Sequence, residues 1–122
     1  MKRRMLWALV AALPLAVAAH EGLKPAKGGV IVEGKSGNRV ELVAEGGQLA
    51  AWITDHDGKP IAAQGVKAEV TLLVGAEKSS AAFEPAAGNK LLAKVKPVPG
   101  AKAVVRLTVG GQAAEQLRFT LR

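Results

Sequence analysis

The 122-residue chain has no cysteine and no tyrosine, only two phenylalanines and two tryptophans, and two histidines, His20 and His56. Without cysteine there is no disulfide scaffold, no zinc ribbon or knuckle and no thiol nucleophile. Lys90, Lys94, Lys96, Lys102 and Arg106 lie near one another in sequence. The aromatic residues that would stack bases are not interleaved with them, so a solvated face is expected and a nucleic-acid partner is not. Ser36, Ser79 and Ser80 sit in no nucleophile-elbow context, and two imidazoles leave little choice of general base. A non-enzymatic protein is therefore expected. At this length a single domain is the natural count.

A long apolar run is also missing. Residues 5–19 are apolar apart from Pro14, about 15 residues where a membrane-spanning helix needs ~20. Lys2, Arg3 and Arg4 precede this run, and Ala16, Val17, Ala18 and Ala19 close it. Positive start, apolar middle and small-residue exit read as a secretory signal over residues 1–19. Cleavage after Ala18 or after Ala19 fits, and the second choice makes His20 the N-terminus. A periplasmic or extracellular protein with no membrane span after processing is expected, and a chain without thiols suits an oxidising compartment. The formal charge of +7 rests on 17 basic and 10 acidic residues; setting Lys2, Arg3 and Arg4 aside leaves 14 against 10, or +4.

Residues 20–28 read as an extended leader and 29–122 as the folded domain. Within the domain the pattern is alternation. Val40, Leu42 and Ala44 face away from Glu41 and Glu45. Ala68, Val70, Leu72 and Val74 alternate with Lys67, Glu69 and Thr71, and Leu117, Phe119 and Leu121 with Arg118, Thr120 and Arg122. A period of two places one face on a core and the other in water. Gly46-Gly47, Asp57-Gly58-Lys59-Pro60, Gly75, Gly88-Asn89 and Gly110-Gly111 punctuate the runs with turn chemistry. The spacing predicts eight strands: 29–33, 39–45, 48–54, 67–74, 79–84, 90–96, 102–109 and 112–121. Pro85 and Gly88 argue against a helix over the alanines of 81–87. An all-β, antiparallel, immunoglobulin-like sandwich of seven to eight strands is expected, with Trp52 as a candidate core tryptophan.

Gly29 to Ser36 matches the phosphate-loop pattern G-x-x-x-x-G-K-S. That chemistry needs a helix N-terminus directly after the loop. Here Val30-Ile31-Val32 has strand composition and Gly37-Asn38 leads into another strand, so a hairpin with loop 34–38 is expected instead. Asp55-His56-Asp57-Gly58 lacks the remaining ligands of a calcium loop.

The two histidines carry the sharpest functional expectation. An N-terminal His20 offers an amine and a ring nitrogen to one ion, a nitrogen-rich set that suits Cu(II). His56 lies between Asp55 and Asp57, and either carboxylate is a further ligand or an orienting partner. Plain turn chemistry explains Asp-His-Asp-Gly equally well, and spacing alone does not bring the histidines together.

Lys27-Gly28-Gly29-Val30-Ile31-Val32-Glu33, Val40-Glu41-Leu42-Val43-Ala44, Thr54 to Pro60, Gly88-Asn89-Lys90-Leu91 and Arg118-Phe119 resemble a group of small proteobacterial periplasmic proteins. Those carry a His-Gly-Gly-Val segment and an Asp-His turn, and are similar to N-terminal segments of heavy-metal efflux adaptor subunits. The resemblance implies a link to periplasmic metal handling. Where the group has His before Gly-Gly this chain has Lys27, and a protonated ammonium does not ligate a metal. A looser likeness to periplasmic copper-resistance carriers implies His20, Asp55 and His56 as ligands. The competing expectation is a metal-free module that pairs through a strand edge with an efflux adaptor or other envelope protein. A redox enzyme built on a histidine brace lacks the aromatics for a substrate platform.

Overall fold

The computed structural model describes residues 23–122. The expected signal over 1–19 and His20 lie outside the described residues. Eight strands follow in chain order: β1 Val30–Glu33, β2 Arg39–Glu45, β3 Gln48–Thr54, β4 Val66–Val74, β5 Glu77–Pro85, β6 Lys90–Ala93, β7 Lys102–Val109 and β8 Glu115–Thr120. The one helical element described is a short 3-10 turn at Ala63–Gly65.

All pairings are antiparallel, in the order β1-β2-β3-β6-β5-β4-β7-β8. One face of the sandwich is β1-β2-β3-β6 and the other β4-β7-β8. β5 belongs to both. Glu77 to Ala82 pair with β4, and Phe83 to Pro85 pair with β6. Setting β1 aside, β2-β3-β6-β5 and β4-β7-β8 reproduce the ABED and CFG sheets of an immunoglobulin-type sandwich. β1 is an added N-terminal strand that lies against β8, so the ring of strands nearly closes.

Alternation builds the core. Val40 and Leu42, Leu49, Ala51 and Ile53, Val70 and Leu72, Leu91, Val105 and Leu107, Leu117 and Phe119 are all buried. Each large aliphatic side chain removed from water contributes about 1.5–3 kcal/mol. The same phase fixes Trp52. With Ala51 and Ile53 in the core, Trp52 must point outward, so it is not a core tryptophan; Lys27 Nζ lies 4.3 Å from its ring centre and Lys90 Nζ 5.4 Å.

Two strands are shorter than the alternation predicts. β6 stops at Ala93, where the Val95 N–H donates to the Ala93 carbonyl at 2.9 Å. This tight i to i+2 turn redirects the chain to the other sheet. Gln112 is drawn into the β7–β8 turn, its N–H donating to Val109 at 3.0 Å, so β8 begins at Glu115 rather than at 112.

The leader is not a free extension over its described part. Glu41, on the outer face of β2, is 4% exposed. Its carboxylate accepts the N–H groups of Ala26 (2.9 Å), Lys27 (2.8 Å) and Gly29 (2.8 Å). Charge-assisted bonds of this kind are stronger than neutral ones. They fold residues 26–29 back over the sheet and place Lys27 on Trp52.

Candidate functional site

The Asp55–Pro60 turn sits at the end of β3. Asp55 Oδ1 accepts the N–H groups of Asp57 (2.8 Å) and Lys59 (2.9 Å), and the Asp55 N–H donates to the Lys59 carbonyl at 2.8 Å. This is an Asx turn, the local geometry that Asp favours before Gly. The Lys59 amide is the main reason the Asp55 carboxyl is held below its usual range. Asp55 therefore builds the turn with at least one oxygen, while Asp57 is exposed.

His56 projects from the turn with 71% of its side chain exposed, and its Nδ1 lies 3.4 Å from Glu33 Oε2. Glu33 ends β1 directly opposite Arg39 of β2, and the Arg39 Nε donates to Glu33 Oε1 at 2.8 Å. That guanidinium hydrogen bond is the largest cause of a lowered Glu33 pKa; burial opposes it, and the Arg39 charge and then His56 add to it. Gly37 lies beneath the imidazole, and an added Cβ there would stand 3.4 Å from His56 Cβ.

The structure thus joins His56 to a carboxylate that the sequence pattern places only at the end of a strand. The hairpin loop 34–38 was the available signal, because it sets Glu33 against Arg39. Asp55 and Asp57 stay in the turn with His56, and His20 lies outside the described residues. Among the described residues no group of three or more metal-ligating side chains converges.

The phosphate-loop lookalike is a hairpin loop running from Gly34 to Asn38, between β1 and β2. It holds a carboxylate of its own chain. Ser36 Oγ is hydrogen-bonded to Glu115 Oε2, and the Ser36 N–H donates to Glu115 Oε1 at 3.4 Å. A Cβ on Gly34 would fall 2.3 Å from that same Oε1. Asn38 Nδ2 donates to Gln112 Oε1 at 3.0 Å beside it. These contacts tie the β1–β2 loop to β8 across the nearly closed side of the sandwich.

Comparison of the chain with protein-family models, with curated proteins and with solved structures finds no match in any of the three.

Proposed function

We propose that the chain is exported and binds a transition metal ion, Cu(II) by preference, at His56 completed by the amine and imidazole of an N-terminal His20. The observation that carries this reading is the pairing of His56 Nδ1 with Glu33 Oε2 at 3.4 Å. Metal-ligating imidazoles characteristically use one nitrogen for the metal and the other for a carboxylate, which fixes the ring and raises its basicity. With Glu33 at Nδ1, Nε2 is the ligating nitrogen. Arg39 holds Glu33 in place from its other oxygen.

Chain geometry supports the approach of the two histidines. The leader folds back over the sheet so that Lys27 reaches Trp52, on the strand that runs on to His56. Trp52 and His56 are four positions apart, roughly 13 Å of extended chain. The six residue-to-residue steps from His20 to Ala26 span up to about 20 Å when extended. Asp57 is the nearest exposed carboxylate in sequence for a fourth position; Asp55 acts mainly by shaping the turn.

The test is a competitive Cu(II) titration of the processed chain. His56→Ala and His20→Ala each abolish high-affinity binding, and Glu33→Gln weakens it roughly 10-fold, as loss of an orienting carboxylate does. Binding that survives both histidine changes refutes the site and favours a metal-free interaction module.

A further inference from the structure

The β4–β5 hairpin carries a length of strand edge that no described strand covers. β5 pairs with β4 from Glu77 to Ala82 but with β6 only from Phe83 to Pro85, because the tight turn at Ala93–Val95 takes the chain away. Which backbone groups face the uncovered side follows from the turn. Gly75, at φ +61°, opens the two-residue loop Gly75-Ala76, with Val74 opposite Glu77. In such a hairpin the closing pair exchanges both hydrogen bonds. Residues 77, 79 and 81 therefore turn their N–H and C=O toward β4, and 78, 80 and 82 turn theirs away. The Ala86 N–H to Lys90 carbonyl bond at 2.8 Å shows the same even-numbered parity on the β6 side. Lys78, Ser80 and Ala82 are all exposed.

We propose that this edge pairs antiparallel with the same edge of a second copy of the chain, about a two-fold axis at Ser80. In that register Ser80 faces Ser80 of the partner subunit and Lys78 faces the partner's Ala82, so outward-turned backbone groups meet one another throughout. Lys78 then lies diagonal to the partner's Glu84 on the same sheet face, within reach of long side chains, and the two-fold axis makes two such opposite-charge pairs. Neighbouring registers fail. Sliding by two residues one way requires Glu84 backbone groups already turned to β6, and sliding the other way sets Ala82 against the hairpin turn at Ala76. The small side chains of Ser80 and Ala82 let the strands approach.

Sedimentation and single-cysteine crosslinking of the full chain test this. The wild-type chain sediments as a dimer. Ser80→Pro, which removes an outward N–H and an exposed hydroxyl contact with Thr71 but no β4 ladder bond, sediments as a folded monomer. Lys78→Glu weakens the dimer about tenfold by turning two attractions into repulsions, and Lys78→Glu with Glu84→Lys restores it. The chain has no cysteine, so an introduced thiol is the only one. Ser80→Cys oxidises to a covalent dimer because facing residues meet disulfide geometry, whereas Ala82→Cys does not self-link. A wild-type monomer at the highest soluble concentration, including one whose edge instead takes a strand of another protein, overturns the proposal. Equal crosslinking of both cysteine variants overturns it too.

Discussion

A carboxylate on the outer face of a sheet ordinarily points into water, and Glu41 does not, because three backbone N–H groups of residues 26–29 close over it. Its removal leaves those amides to find water and releases Lys27 from Trp52. Glu41→Ala is expected to cost about 2–3 kcal/mol in denaturant unfolding and to speed hydrogen exchange at Ala26, Lys27 and Gly29. Unchanged exchange at those three amides would show that Glu41 does not hold the segment. Glu33 and Asp55 have pKa values lowered in the folded chain, by Arg39 and by the Lys59 amide respectively. A depressed folded value means that the stabilisation is present above the unfolded pKa, near pH 4. It is lost as pH falls further through the folded values. Denaturation midpoints measured down from about pH 6 are expected to drop below about pH 4, and Asp55→Asn is expected to flatten that drop.

At the scale of the element, β1 is held where it is by a close approach. A Cβ on Gly29 would sit 2.0 Å from the Leu42 carbonyl oxygen, and backbone does not yield as a flexible side chain does. Gly29→Ala should therefore displace the start of β1 and lower the thermal midpoint, while Gly34→Ala, which meets only the movable Glu115 side chain, should cost less. Alternation made most of the strands legible: β2, β3 and β7 have the bounds it predicts, although Glu41 and Ala50 are buried out of phase and Ala44 is exposed. It failed where hydrogen bonding rather than burial decides the boundary, at Ala93 and at Gln112. Trp52 shows the other limit, since the likeness to an immunoglobulin-type sandwich argues for a core tryptophan while the phase of Ala51 and Ile53 turns it outward. The site was half legible. Asp55-His56-Asp57 announced a turn, but its Glu33 partner arrives from a different strand: the 34–38 loop sets Glu33 against Arg39, and nothing in the sequence sets it against His56.

The whole molecule is a sandwich with the Glu33, Arg39 and His56 cluster at one end and, on β5, a length of strand edge that no described strand covers. Leu91, fully buried on the central β6, packs within the core shared by both sheets; Leu91→Ala is expected to cost about 2–5 kcal/mol without moving metal affinity, since the change is made in the core and His56 is exposed on a turn. The most direct measurement is electron paramagnetic resonance of the processed chain with one equivalent of Cu(II), beside His56→Ala. Nitrogen hyperfine structure from more than one donor, reduced in the variant, is the expected result. A spectrum of loosely held copper, or one that His56→Ala leaves unchanged, would contradict the shared-histidine site.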